Sequence, residues 1–164
     1  MAWTSMQSPV GPLSLESRGG KVRRLEFGRG REERKVPISP EQIPEADAAV
    51  LEKATSELKL YFQGRLTRFT VPLELEGPAF HRKVWDILSS IPFGQILTYS
   101  EIARRVGSPR AARTVGSACA SNPVAIIVPC HRVLAGNGLG GFGGGLEAKR
   151  WLLRHEKYPL PEKY

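Results

Sequence analysis

The feature that most constrains the fold is a pair of short amphipathic segments that meet at Gly107-Ser108-Pro109. Ser100 is the expected N-cap of a helix over 101–106, and Gly107 is expected to end it, since glycine readily adopts a left-handed conformation. Ser108 is the expected cap of a second helix, with Pro109 at its first position, which runs to about Ala120. Two short helices joined by so tight a turn predict a helix-turn-helix.

The segments around this motif predict an α/β protein of two domains, an N-terminal α/β domain over 1–77 and a mostly helical C-terminal domain over 78–164. Period-two alternation in Leu13–Ser17 and Val22–Phe27 predicts a β-hairpin, and the charged segment 28–35 predicts a mobile loop. Two longer helices are expected at Ala46–Gln63 and Ala79–Ser89. Their apolar residues at helical spacing are Val50, Ala54, Leu58 and Tyr61 in the first, and Phe80, Val84, Trp85 and Leu88 in the second.

Charge is distributed unevenly between the two halves of the 164-residue chain. Residues 1–80 contain 12 Lys and Arg against 11 Asp and Glu, whereas residues 81–164 contain 12 against 5. Such a basic half is either a solvated surface or a site for a polyanion, since Lys and Arg release the counterions condensed on phosphates. Combined with a helix-turn-helix, it favours DNA as the partner.

The second helix of this motif carries a stripe of very small side chains. Ala112, Gly116 and Ala120 recur every four residues, with Ser117 beside them and Arg113 adjacent. One interpretation is close packing against a neighbouring backbone. The other is a bare helix face that enters the minor groove, which is only about 6 Å wide.

The most reactive cluster follows this helix. Asn122-Pro123 ends the helix, and an expected buried strand over 124–128 leads into Cys130, His131 and Arg132. A cysteine attacks as its thiolate, and neighbouring basic groups raise the thiolate fraction. His131 can take the thiol proton directly or through water, and Glu156 can orient the imidazole. The alternative is a buried structural cysteine, which is the interpretation favoured for Cys119.

A glycine-rich segment follows the cluster and matches GxGxxG over 138–143, but no βαβ unit surrounds it, which excludes a dinucleotide site. Asn137-Gly138 predicts a hairpin turn, and the segment is expected to form a flexible wall beside Cys130. Three scattered histidines and two cysteines lack the spacing of a metal site, and no cofactor is expected.

The compartment is inferred from the absence of other signals. The longest aliphatic run, 124–128, is far shorter than the roughly 20 residues of a membrane span, and residues 1–7 lack the features of a signal peptide. Two cysteines are too few for a secreted disulfide scaffold. The expected location is therefore cytoplasmic, with no membrane association.

Taken together, these motifs resemble one known family. Pro129-Cys130-His131-Arg132-Val133, preceded by Arg113-Thr114-Val115-Gly116 and Asn122-Pro123, is similar to the O6-alkylguanine-DNA alkyltransferase family, whose members are methylated-DNA–protein-cysteine methyltransferases. Ile91-Pro92-Phe93-Gly94, Thr98-Tyr99 and the segment 149–156 are similar to that family too. The resemblance is strongest over about 78–156, and the N-terminal part fits only in outline.

The resemblance implies an α/β N-terminal domain packed on a helical, helix-turn-helix C-terminal domain. It implies DNA repair by stoichiometric, irreversible transfer of an alkyl group from O6-alkylguanine in duplex DNA to a cysteine, after the nucleotide is flipped out of the helix. O4-alkylthymine is a further implied substrate. The partner is double-stranded DNA containing the lesion, and the protein acts once, as a monomer.

The resemblance also implies residue roles. Cys130 is the alkyl acceptor, His131 the base acting through a water with Glu156 behind it, and Asn122 a brace for the backbone of the site. Tyr99 lies near the phosphate of the extruded nucleotide and the guanine, and Arg113 fills the gap left in the base stack. The other implied DNA contacts are Arg110, Thr114, Gly116, Ser117 and Ala120, and the implied pocket residues are Pro129, Val133, Phe142, Gly143 and Gly144.

Two pocket positions depart from the family pattern. Phe142 stands where many members have Tyr, and Gly143 where many have Ser or another polar residue. Neither side chain can hydrogen-bond, so backbone N–H groups of Gly143 or Gly144 are expected to stabilise the leaving oxygen. Slower reaction of bulky or free-base substrates than of methylated DNA is expected.

Two other functions fit parts of the sequence. A damage sensor or helix-turn-helix regulator could bind DNA through the same helix and transfer nothing, in which case Cys130→Ser retains full function. Relatives of that kind typically replace the reactive cysteine with Trp, whereas Cys130 is present here. A cysteine hydrolase built on Cys130 and His131 would leave Arg113 and the helix-turn-helix unexplained.

Overall fold

The computed structural model describes residues 1–28 and 43–164 and divides into two compact units, Met1–Leu75 and Glu76–Tyr164. Helices and small sheets occur together in it, which confirms the predicted α/β class. The loop predicted over 28–35 lies outside the described residues from position 29 onward. Within the described segments, no helix has both the length and the apolar character needed to cross a membrane.

The first unit contains an antiparallel sheet of three strands in chain order, β1 (Ala2–Met6), β2 (Leu13–Arg18) and β3 (Lys21–Phe27). The predicted hairpin is β2 and β3, which pair from Leu13↔Phe27 onward. Strand β1 was not predicted, because its short, mixed sequence shows no clear apolar alternation. Its pairing with β2 along its whole length stabilises it instead.

Helix α1 (Glu45–Phe62) contacts all three strands. Its predicted apolar face is buried, and each fully buried large side chain contributes about 1.5–3 kcal/mol. Gly64 follows the helix with φ of 73°, the left-handed conformation expected of a helix stop, and the next N–H, that of Arg65, returns to the Leu60 carbonyl. The core of this unit therefore lies between α1 and the sheet.

The second unit is mostly helical. It contains α2 (Ala79–Ser89), β4 (Leu97–Thr98), α3 (Tyr99–Arg105), α4 (Ala112–Ala120), a 3₁₀ turn (Cys130–Arg132), β5 (Val133–Leu134) and α5 (Leu146–His155). The two short strands pair in parallel. The indole N–H of Trp85 in α2 donates to the Ala118 carbonyl of α4 at 2.8 Å, which confirms Trp85 as a core residue.

Helices α3 and α4 form the predicted helix-turn-helix, but both predicted caps are wrong. Thr98, not Ser100, caps α3, because its hydroxyl accepts the Glu101 N–H while the Glu101 carboxylate accepts the hydroxyl proton. Helix α4 begins at Ala112 rather than Pro109. Ser108 accepts the Ala111 N–H on its backbone carbonyl, so residues 108–111 form a separate turn.

The strand expected over 124–128 is also wrong. The segment is a compact turn in which the Val128 N–H donates to the Val124 carbonyl, and Ile126 has a left-handed φ of 70°. All five side chains are buried. An apolar run without alternation shows burial on every side, and it does not distinguish an extended strand from a buried turn.

Candidate active site and nucleic-acid interface

Asn122 holds the turn that delivers the reactive cysteine. Its side-chain carbonyl accepts the Val124 N–H at 3.0 Å, and its amide donates to the Val128 carbonyl at 2.8 Å. Both ends of the turn are therefore fixed by one side chain, and Pro129 leads directly into the 3₁₀ turn that contains Cys130.

Cys130 is buried, with a residue exposure of 8%. Burial raises its pKa, while a hydrogen bond with Asn122 and the charge of Lys149 act in the opposite direction. Cys119 is half-buried on α4, and burial together with the nearby Cys130 raises its pKa to about 12. The charge of Lys149 favours the thiolate at both cysteines, and Cys130 has in addition the side chain of Asn122 beside it.

His131 and Glu156 form a buried pair in which Nε2 lies 2.7 Å from Oε2. A carboxylate only accepts hydrogen bonds, so Nε2 carries the proton and Nδ1 holds a lone pair. Nδ1 is buried and has no hydrogen-bond partner among the described residues. Burial lowers the pKa of His131, so the imidazole is neutral near pH 7 and its Nδ1 is a free base.

Arg132 completes this cluster through an ion pair with Glu156 that was not predicted from the sequence. Its guanidinium donates through Nε to Glu156 Oε1 at 2.7 Å and through a second nitrogen to Oε2 at 3.0 Å, and it also donates to the Ile91 carbonyl. Burial alone would raise the pKa of Glu156, but hydrogen bonds from His131 and Arg132 hold it well below its ordinary value of 4.5. Glu156, at the C-cap of α5, is therefore ionised near neutral pH.

Tyr99, the first residue of α3, lies against the glycine-rich segment. A Cβ at Gly140, where φ is 71°, would come within 2.7 Å of the Tyr99 ring, and the nearby backbone N–H of Gly141 acts to lower the pKa of Tyr99. Burial raises the pKa of Tyr99, so the phenol stays protonated. The ring of Phe142 meets the His131 imidazole edge-on, with centroids 6.4 Å apart. The glycine-rich segment was predicted to lie beside Cys130, and it contacts the neighbouring residue His131 through Phe142. Ala135 and Gly138 form a bridge that includes one residue of the predicted Asn137-Gly138 turn.

Lys149 is a second buried cation that the sequence analysis missed. Its ammonium group donates to the carbonyls of Val133 at 2.6 Å, Leu139 at 2.5 Å and Gly141 at 3.0 Å, and the side chain has no solvent exposure. Burial lowers its pKa to about 8. A helical signal existed in the sequence, because Lys149 shares a face of α5 with Leu152 and with Glu156 one turn further on.

Helix α4 presents its small side chains outward. Val115 and Ala118 are buried, and no atom lies within 4 Å of a Cβ built at Gly116. This open space argues against the close-packing interpretation of the stripe at that position. The exposed predicted DNA contacts on α4 and in the turn before it are Arg110, Arg113, Thr114, Ser117 and Ala120.

Of the predicted pocket residues, Pro129 and Val133 are buried, Phe142 and Gly144 are half-buried, and Gly143 is exposed. These residues flank the Cys130–His131 pair on both sides along the chain.

The fold and site together define a class: a protein with a helix-turn-helix and a buried cysteine next to a carboxylate-held histidine in the same unit. Models of the family match both units of the chain. The 6-O-methylguanine DNA methyltransferase ribonuclease-like domain matches residues 1–75, and the DNA binding domain of the same family matches residues 79–158. The chain belongs to the 6-O-methylguanine DNA methyltransferase family, and it is a DNA-repair enzyme that acts by alkyl transfer.

Similar proteins support this assignment over almost the full length. A methylated-DNA–protein-cysteine methyltransferase of Mycobacterium leprae is 44% identical over 95% of this chain and 92% of its own, and one of Haemophilus influenzae is 40% identical over 98% and 89%. The crystal structure of Mycobacterium tuberculosis OGT in complex with DNA superposes with a TM-score of 0.82 at 40% identity, covering 94% of this chain and 92% of that one. These relatives do not favour a regulator that binds without transfer.

Proposed function

We propose that Cys130 accepts the alkyl group and that the substrate is O6-alkylguanine in duplex DNA. The observation that supports this most directly is the buried Cys130–His131–Glu156 arrangement, in which a neutral base is held by an anion beside a thiol. The second unit would then contain both the acceptor and the DNA-binding helix, and the first unit would form a separate N-terminal domain.

The chemistry follows from the protonation states. The thiol proton passes to Nδ1 of His131, directly or through a water, and Glu156 stabilises the imidazolium that forms. The Cys130 sulfur attacks the alkyl carbon, so that an S–C bond forms while the C–O6 bond breaks. The electron pair stays on the guanine, which takes up a proton as it leaves. A thioether is not hydrolysed by acid–base chemistry, so each protein reacts once.

Groups around the thiol suit the leaving guanine. Tyr99 keeps its hydroxyl proton and can donate it to a base or a phosphate. Gly143 and Gly144 donate no backbone hydrogen bond to the described residues, which leaves their N–H groups for the leaving oxygen. The expected consequence is slower reaction of free-base substrates, because a glycine loop without polar side chains depends on DNA contacts for orientation.

DNA contact is assigned to the outer face of α4. The small residues at 112, 116 and 120 permit close approach to a groove, and the exposed Arg113 can occupy the space left by a flipped nucleotide. Flipping costs a few kcal/mol, part of which an inserted guanidinium offsets. Arg110 and Thr114 would contact the backbone and position the helix.

We also propose that the protein works as a cytoplasmic monomer. Only one acceptor cysteine is needed per lesion, and the site is built from residues of one chain. The two free cysteines fit a reducing compartment.

The test is mass spectrometry of the intact protein and its peptides after reaction with a duplex containing one O6-methylguanine. We expect one added methylene per protein, on the peptide that contains Cys130. Cys130→Ser should abolish the mass change and keep DNA binding, whereas Cys119→Ser should react normally. Tight binding to the lesion without a mass change, or modification on Cys119, would refute the assignment.

A separate comparison tests Arg113. Arg113→Ala should slow transfer from a fully paired duplex more than from a substrate in which the lesion lies in a single strand, because only the duplex requires flipping. Arg104→Ala, a change of the same kind on the exposed end of α3, is the matched control. Equal slowing on both substrates would contradict a role in flipping.

A further inference from the structure

Lys149 stands out among the buried charges of the second unit because the proposed reaction does not use it. It has no solvent exposure, yet within the described part of the chain its ammonium group pairs with no carboxylate and instead donates to three backbone carbonyls. Burying a cation is costly unless its hydrogen bonds are satisfied. A buried lysine on α5 therefore needs a reason beyond packing.

The three carbonyls show what Lys149 joins. One belongs to Val133 in β5, directly after the 3₁₀ turn of Cys130, and the other two, Leu139 and Gly141, belong to the glycine-rich segment. Seven of residues 136–145 are glycine, so this segment has little stiffness of its own. The Lys149 ammonium group connects the glycine-rich segment to Val133, which lies close to Cys130 in the chain.

The glycine-rich segment contains residues that contact Tyr99 and His131. Gly140 lies against the Tyr99 ring, and Phe142 meets the His131 imidazole. A shift of about 1 Å in reacting groups can cost 10²-fold in rate. We propose that Lys149 is a positioning residue for alkyl transfer, which fixes the glycine-rich wall of the pocket to β5 beside Cys130. This inference rests on the proposed function of Cys130.

The same ammonium group also acts on the thiol. The titratable groups that face it are Cys130 on the 3₁₀ turn and Cys119 on α4, and its charge helps to lower the pKa of the His131 imidazole. Its charge opposes the effect of burial on Cys130. Loss of the charge should therefore move the reactivity of Cys130 to higher pH.

Two substitutions separate the effect of the Lys149 hydrogen bonds from the effect of its charge. Lys149→Met keeps the length and apolar stem but removes both the donors and the charge. Lys149→Gln removes the charge but keeps an amide that can donate two hydrogen bonds. Lys83→Met, in an exposed position on α2, is the matched control.

The first measurement is the single-turnover rate of methyl transfer from an O6-methylguanine duplex at increasing protein concentration, which separates DNA affinity from the limiting rate. We expect Lys149→Met to lower the limiting rate by about 10²-fold, with DNA affinity unchanged within about twofold and Lys149→Gln in between. Lys83→Met should match the parent. A limiting rate equal to that of the parent in Lys149→Met overturns the proposal, as does a parallel loss of affinity in both Lys149 variants, which would indicate a general loss of structure. If Lys149→Met does not fold, a parental limiting rate in Lys149→Gln overturns it.

The second measurement is the rate at which iodoacetamide modifies Cys130 as a function of pH, followed on the Cys130 peptide so that Cys119 does not interfere. In both Lys149 variants, the rise of the modification rate with pH should occur at higher pH than in the parent, because both lack the charge. A purely structural role would not shift the curves of the two variants equally, and an unshifted curve overturns the electrostatic effect. If the parent protein transfers no methyl group to Cys130, the proposed function fails instead.

Discussion

Replacing Glu156 with Gln tests the electrostatic design of the site most directly. The carboxylate is almost fully buried and accepts three hydrogen bonds, one from His131 and two from Arg132. Gln has nearly the same size, so packing is preserved. The substitution removes the negative charge and replaces one acceptor oxygen with an NH₂ group that faces hydrogen-bond donors.

The structure gives the expected magnitude. Removing one partner of a buried ion pair costs about 3–5 kcal/mol, because the other charge stays buried without compensation. Arg132 is that charge, and among the described residues it keeps the Ile91 carbonyl and at most the one remaining side-chain oxygen, both uncharged, as acceptors. Since proteins unfold at a total cost of about 5–15 kcal/mol, this loss is a large fraction of the whole.

The reaction should suffer more than the stability. In the parent, Glu156 keeps the proton on Nε2 and leaves Nδ1 as the base, and it stabilises the imidazolium. In trypsin-like enzymes, the loss of the corresponding carboxylate lowers the rate by about 10⁴-fold because the tautomer is wrong. We expect a fall of at least about 10²-fold here, since a thiol is more acidic than a serine hydroxyl and depends less on its base.

Urea unfolding and single-turnover methyl transfer are the assays, with Glu147→Gln as the control. Glu147 is an exposed residue at the start of α5, where the same change should cost less than about 0.5 kcal/mol. With a urea slope of about 1.5 kcal/mol per M, a loss of 3 kcal/mol lowers the midpoint by roughly 2 M. An unfolding free energy within about 1 kcal/mol of the parent, or an unchanged transfer rate in a folded Glu156→Gln variant, would refute the reasoning.

Three other predictions follow from the same geometry. Asn122→Ala removes both hydrogen bonds that hold the turn before Cys130, so the unfolding free energy should fall by about 2–3 kcal/mol and transfer should slow. An unfolding free energy in urea equal to that of the parent would contradict this. Gly140→Ala places a methyl group against the Tyr99 ring at a positive φ and should slow transfer, whereas Gly136→Ala, with free space around it, should not; equal rates would refute the close contact. Because the pKa of Glu156 is lower in the folded state than its ordinary 4.5, its stabilisation is present above pH 4.5 and is lost as the pH falls toward the folded pKa. In the parent, the urea midpoint should therefore decrease as the pH is lowered below 4.5, and in Glu156→Gln it should change less. Parallel plots of midpoint against pH for the two proteins would contradict this.

Local patterns identified most of the secondary structure. Helices α1 and α2 were predicted to within a residue or so, because an apolar stripe with helical period and clear stop residues is a local signal. The helix-turn-helix followed for the same reason. The errors lie where local signals conflict. Thr98 and Ser100 are both capping residues, and only Thr98 is followed three positions later by a Glu, whose carboxylate accepts the Thr98 hydroxyl proton.

The apolar run 124–128 shows the limit of such patterns. Burial on all sides produces an unbroken apolar sequence in a strand and in a turn alike, so the choice depended on Asn122, whose side chain bonds both ends of the segment. Strand β1 was missed because its stability comes from pairing with β2, which no local alternation records.

For this protein, the sequence by itself determined the order of the helices, the adjacency of Cys130 and His131, and the family. Only the tertiary structure showed that Glu156, which was predicted to orient His131, also binds Arg132, and that Lys149 joins β5 to the glycine-rich segment. The physical reason is that a helix or a turn is stabilised largely by neighbours in sequence. A buried charge, in contrast, is tolerated only through partners that folding brings from 8 to 41 residues away.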